Sequence, residues 1–233
     1  MEERPIIQGY EIAGRMPVFQ QWGRQAIRDD RKNQTRRAIK PQPGSGIEDV
    51  YHRPDGKWIW LHLPKGAGVG IGLPFGCPYG KPGDIRVMTE PLKNVAGWAY
   101  YVDLDAEGVF QPVISSQTGK HLRWRWKVQV LSSLFMPYEA ARTLTRYTNV
   151  RVERLQEILV RDCMKEGVIP TDVIAKGSDV VHPVGVIPLD AELVGHDYYH
   201  PFQELWDSLN AKRGYPYSSD PRVWVIEFER MKS

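Results

Sequence analysis

The sequence predicts a mainly β fold of the α+β class, a β-barrel carrying two or three helices. Short runs rich in Val, Ile, Tyr and Trp recur along the chain, as strands require. Gly- and Pro-bearing turns separate them. Few stretches keep the 3.6-residue apolar spacing of a helix. A length of 233 residues fits one large domain or two small ones. With 42% hydrophobic and 25% charged residues, the chain belongs with folded globular proteins rather than disordered ones. The expectation is a single domain over 1–233, with insertions at about 44–80, 103–127 and 169–200.

Each element has its own signal. Ala26 to Arg31 reads as the end of a polar helix. Lys40-Pro41-Gln42-Pro43-Gly44-Ser45-Gly46 is a cluster of breakers that closes the first unit. Trp58 to Leu63 reads as a strand. Gly66 to Gly72 repeats glycine at every second position, but Pro74 follows and no Gly-Lys-Ser/Thr does, so a phosphate loop is not supported. Ile85 to Thr89 reads as a strand entered by the turn Lys81-Pro82-Gly83-Asp84. Trp98 to Val102 and Val109 to Val113 read as short strands. Between Thr143 and Leu155 the apolar Leu144, Val150, Val152 and Leu155 interleave with polar residues, a long strand. Ile158 to Glu166 is a short helix stopped by Gly167. Residues 169–200, punctuated by Pro and Gly, read as an excursion over the surface. Phe202, Leu205, Trp206 and Leu209 share one helical face, and Gly214 caps that helix. Val223 to Phe228 closes the chain as a strand.

Charge singles out one region. From position 24 to 40 there are seven Lys or Arg against two acids, while the net charge of the whole chain is only +3. The plain reading is a solvated helix face followed by a basic loop. The sharper reading is an anion or nucleic-acid site. Within it Lys32 and Thr35 stand three apart, an amine and a hydroxyl. Arg31, Arg36, Arg37 and Lys40 flank them, and guanidinium forks suit phosphate or carboxylate.

A second cluster is His121-Leu122-Arg123-Trp124-Arg125-Trp126-Lys127. As a strand it sets Arg123, Arg125 and Lys127 on one face and Trp124 and Trp126 on the other. That is either a strip for stacking bases and pairing phosphates, or a strand with buried tryptophans and a charged outer face. Tyr215, Tyr217 and Trp224 are further stacking candidates.

Other chemistries find little support. Cys77 and Cys163 have no metal-ligand spacing and read as free thiols of a reducing cytosol. His196 and His200 are four apart but lie between Gly195 and Pro201, with no third ligand indicated, so no metal or other cofactor is expected. No nucleophile elbow marks a serine hydrolase. No apolar h-region stands at the start, and no run is long enough to span a bilayer. A cytoplasmic protein without a membrane partner is expected.

Several segments together resemble ASCH-type proteins of bacteriophages and prophages. They are Glu3-Arg4-Pro5-Ile6-Ile7, then Asp30-Arg31-Lys32-Asn33-Gln34-Thr35-Arg36-Arg37 running into Lys40-Pro41-Gln42-Pro43. Cys77-Pro78-Tyr79-Gly80-Lys81-Pro82-Gly83-Asp84 and Val150-Arg151-Val152-Glu153-Arg154-Leu155-Gln156 follow, the latter with Glu166-Gly167-Val168. Phe202 to Tyr217 and Val223 to Glu229 resemble the closing helix and strand. The resemblance implies a PUA-like β-barrel with long loop insertions, in a family linked to RNA and modified nucleosides. One bacterial branch hydrolyses the acetyl amide of N4-acetylcytidine with a Lys, a Thr three residues later and a Glu. Lys32, Thr35 and Glu166 fall on those positions.

The chain departs from the phage pattern where Asp30 replaces a glycine and Asn33 a threonine. It departs again where Tyr138-Glu139 replaces an Arg-Trp pair. What the resemblance implies is therefore binding of RNA, single-stranded nucleic acid or a modified nucleoside. The ligand residues would be Arg31, Arg36, Arg37, Lys40, Arg123, Trp124, Arg125 and Tyr217. The alternatives are an amidohydrolase or ribonuclease-like hydrolase using Lys32, Thr35 and Glu166, and a phage protein that blocks a host protein partner.

Overall fold

Alternating apolar residues and frequent turns give a mainly β structure with three α-helices among the described residues. The computed structural model describes residues 4–44, 47–62, 70–105, 107–170, 172–175, 181–183 and 193–232. The chain begins with β1 (Ile6–Ile7), β2 (Tyr10–Glu11), β3 (Gly14–Arg15), α1 (Gln21–Arg28) and β4 (Gln34–Ala38). It continues through β5 (Ile47–His52), β6 (Trp58–His62), β7 (Gly70–Ile71), β8 (Ile85–Val87), β9 (Leu92–Val95) and β10 (Trp98–Leu104). Next come β11 (Phe110–Pro112), β12 (Val130–Leu131), β13 (Leu144–Arg154) and α2 (Val160–Lys165). The remainder is β14 (Asp172–Ala175), β15 (Val181–Pro183), β16 (Leu193–Asp197), α3 (Tyr199–Asn210) and β17 (Arg222–Arg230). Among the described residues every strand order is open at both ends, and none closes on itself as a barrel.

The chain divides into two compact units. Unit one holds residues 1–30, 78–149 and 227–233. Its sheet order β11-β10-β9-β12 is antiparallel, with Trp98 opposite Val95 and Val130 opposite Lys93. β3 runs parallel to β8, which pairs antiparallel with the start of β13 through Leu144 and Val87. The inward residues of these strands, among them Val87, Leu92, Ala99, Tyr101 and Leu144, form one core with Met136 and Ala140.

Unit one also buries charge. The Arg24 fork grips Asp103 with two bonds of 2.7 Å. Arg28 and Arg142 both hold Glu90, which is wholly buried, at 2.5 and 2.7 Å. The Arg142 guanidinium lies 3.7 Å from the Tyr101 ring centroid. Burial, with the Glu90 charge second, pushes the Tyr101 phenol above its ordinary pKa.

Unit two holds residues 31–77 and 150–226. The order β13-β17-β4 runs through it, beside an antiparallel β5-β6-β7 sheet. Apolar residues of α2 and α3 pack with those of β4 and β17, as Cys163, Phe202, Trp206, Ala38, Val223 and Val225 share a core.

Two expectations need correction. Residues 169–200 are more than a surface excursion, because β14 pairs antiparallel with β15 and β16 there. His121 to Lys127 is no regular strand: only isolated bridges at His121 and Arg123 tie it down. Its alternation still sorts the side chains, with Arg123, Arg125 and Lys127 exposed and Trp124 and Trp126 packed on the unit-one core. The glycine repeat from Gly66 to Val69 lies outside the described residues.

Candidate functional site

The end of α2 builds one side of the site. Gly167 takes φ +81°, a left-handed value open to glycine, and lets the chain leave the helix sharply. A helix end leaves carbonyls without partners. Here the loop before β4 supplies two: the Asn33 N–H donates to the Lys165 carbonyl at 3.0 Å, and the Lys32 ammonium donates to that of Glu166 at 2.7 Å. A cation at a helix C-terminus is also favoured by the helix dipole.

Lys32 meets the Glu166 side chain as well, Nζ to Oε2 at 2.7 Å. Arg36 reaches the other Glu166 oxygen at 3.3 Å, and turns to Glu153 at 3.1 Å and Asp162 at 3.4 Å. Arg151 joins Glu153 at 2.5 Å and lies 3.9 Å from Asp162. Three cations (Lys32, Arg36, Arg151) thus face three carboxylates (Glu153, Asp162, Glu166). A buried charge is tolerated when it is paired and hydrogen-bonded in this way.

The amine of Lys32 differs from the guanidinium groups around it. Burial is the main force drawing its pKa below the ordinary lysine value. The Glu166 carboxylate pulls the other way, and the like charges of Arg37 and Arg36 add to the lowering. Cys163, buried on α2, is inert by the same desolvation, which pushes its thiol up to about 12.

Of the residues expected from sequence, Lys32, Arg36 and Glu166 come together. Thr35 is buried in β4, where it shares a face with Arg37 while Gln34, Arg36 and Ala38 share the other. Among the described residues no hydrogen bond joins the Thr35 hydroxyl to Lys32. Arg31 is exposed. Lys40 is exposed and lies 5.3 Å from the Tyr215 ring centroid. Tyr217 is half-buried, its ring edge 6.4 Å from Phe202. Arg123, Trp124 and Arg125 belong to unit one, where Arg123 covers Trp98 at 4.5 Å and Arg125 bonds Glu139 at 2.7 Å.

Sequence reasoning missed Asp162, Glu153 and Arg151. Asp162 stands four residues before Glu166, the spacing that sets two side chains on one helical face. Glu153 and Arg151 share a face of β13 by their separation of two.

Beside the charge cluster opens a pocket of about 360 Å³, lined by Arg31, Asn33, Lys165 and Gly167 and walled by Met164, Val168, Ile169, Pro170 and Tyr198. Its lining includes the sequence neighbours of Lys32 on both sides and those of Glu166 on both sides. Among the described residues no group of His, Cys, Asp and Glu is placed to hold a metal ion, and no helix is long and apolar enough to cross a membrane. Neither a protein-family model, nor a curated protein, nor a solved structure matches the chain.

Proposed function

We propose that the chain is a PUA-like, ASCH-type protein that binds a modified nucleoside or single-stranded nucleic acid in this pocket. The supporting observation is the pocket's lining, which reaches both members of the Lys32–Glu166 pair through their chain neighbours. Its apolar wall and Tyr198 suit the faces of a base, and Arg31 and Lys165 suit its phosphate. Titration with short single-stranded RNA and with cytidine nucleosides at low salt tests the reading. Binding should weaken as salt rises, and Tyr198→Ala should weaken it about tenfold. If neither RNA nor any nucleoside binds at low salt, the reading fails.

A second reading, amide hydrolysis on an acylated base such as N4-acetylcytidine, is favoured by the buried Lys32 with its lowered pKa. A neutral Lys32 would accept the proton of the attacking Thr35 hydroxyl. Glu166 would give a proton to the leaving amine. This reading predicts turnover by the native chain that disappears in Lys32→Ala and in Thr35→Ala. A wild-type protein that hydrolyses no acylated nucleoside removes it.

A further inference from the structure

Unit two carries a second opening, apart from the Lys32 pocket and not needed by the reading above. It is a cleft of about 420 Å³ lined by Gln42, Pro43, Arg154, Tyr215, Asp220 and Arg222, among others. We propose that this cleft is a phosphate site, holding a phosphate monoester or a backbone phosphodiester between Arg154 and Arg222.

The walls are built before any ligand arrives. The Gln42 amide donates to the main-chain carbonyls of Ile39 and Arg222 at 2.8 and 2.9 Å, and its oxygen accepts from the Arg222 N–H at 2.8 Å. These three bonds tie the proline-rich loop to the first residue of β17. The Arg222 side chain therefore enters the cleft from a fixed strand, and only 7% of the residue is exposed. Fixed guanidinium groups lose little freedom on binding.

The cations are in an unfavourable arrangement without an anion. Burial first, and the like charge of Arg154 second, draw the Arg222 pKa below the ordinary guanidinium value, against Glu157, Asp49 and Asp220. Asp220 is the lone carboxylate lining the cleft, and it is already engaged. One of its oxygens accepts the Gln156 N–H at 2.9 Å. The other meets Arg154 at a loose 3.5 Å. The Arg154 side chain is 44% exposed, and an exposed pair of that length contributes little. Arg154 can turn from Asp220 to a phosphate at small cost. Lys40, over the Tyr215 ring, adds positive charge behind that wall. A phosphate with two or three oxygens fits two guanidinium forks better than a carboxylate does.

The test is NMR of the full chain, following the arginine Nε–H signals during titration with inorganic phosphate. A second arm uses a single-stranded oligonucleotide without terminal phosphates. The expected result is a saturable shift of the Arg154 and Arg222 signals, weakened about tenfold in Arg154→Gln. That exposed substitution leaves the fold intact, whereas Arg222→Gln removes a buried residue. Shifts from the oligonucleotide as well identify a nucleic-acid backbone as the source. Shifts from phosphate alone identify a monoester. Signals of Arg154 and Arg222 that do not move, or that drift linearly without saturation, overturn the proposal. Loss of these shifts with Tyr198-dependent binding intact would leave the nucleoside pocket standing.

Discussion

Each compact unit buries a cluster of opposite charges, and the two clusters differ in their cations. Unit one uses guanidinium groups throughout: Arg24 on Asp103, and Arg28 with Arg142 on Glu90. Arginine stays charged in any protein environment, and its fork fixes a carboxylate by two bonds. Such a cluster locks elements together and does nothing to a proton. Unit two places a lysine among its arginines, and the burial of that lysine draws its pKa down. A lysine so placed can change protonation, so it can take part in chemistry. The identity of one cation separates a structural lock from a reactive candidate.

The largest effect that would break this contrast lies in unit one. Glu90→Ala leaves Arg28 and Arg142 facing each other without their carboxylate, with Glu90's site wholly buried. The expected loss is about 3–5 kcal/mol by thermal or urea unfolding, with ligand binding in unit two unchanged in the surviving native protein. A smaller loss would mean the lock is not a lock.

Lys32→Met in unit two should cost less, about 2–3 kcal/mol, because Arg36 still bonds Glu166 after the amine is gone. The double variant Lys32→Met/Glu166→Gln removes both members of the pair, so it should recover most of that loss. If the cluster is reactive rather than structural, the double variant regains stability and still lacks turnover. Recovery of turnover together with stability would make Lys32 a packing residue.

Arg24→Lys replaces a fork on Asp103 by a single bond and should cost about 1–2 kcal/mol. The same pair shapes the acid limb of stability. Burial raises the Asp103 pKa, but bonds and charge from Arg24, then Arg28, outweigh it and leave it below the ordinary value of 3.8. The contribution is therefore present above about pH 4 and is lost as pH falls through the lower, folded-state pKa. Arg24→Lys should flatten that limb in a pH series of unfolding midpoints.

The sequence made some of this legible. Strands with clear two-residue alternation, such as β13 and β17, and the helical stripe of α3 were visible because burial acts on one face. The Lys32, Arg36 and Glu166 meeting was indicated only by a family resemblance, since 134 residues separate Lys32 from Glu166. Their partners Glu153 and Asp162 were hidden, because a carboxylate at a strand or helix position reads as solvated until its cation is located. The sheet within 169–200 was missed since short strands there lack an apolar alternation long enough to be read. The Arg154–Arg222 cleft joins residues far apart in sequence, and neither arginine lies in the basic run.

The smallest effect concerns Asp30, where the chain departs from the glycine of the phage pattern. Asp30 takes φ +57°, a left-handed value that glycine adopts freely and that aspartate tolerates. Its carboxylate grips Arg230 with two bonds of 2.8 and 2.7 Å, which is the main reason its pKa falls below the ordinary aspartate value. The pair is exposed, with half of the Asp30 side chain open to solvent, so it is worth only about 0–1 kcal/mol. Asp30→Gly loses that pair and relieves the backbone by a similar amount, so its unfolding midpoint should stay close to that of the native chain. Asp30→Ala loses the pair and keeps the strain, so it should cost about 1–2 kcal/mol. Equal stability of the two variants would show that the backbone of this turn, and not the ion pair alone, has ceased to matter.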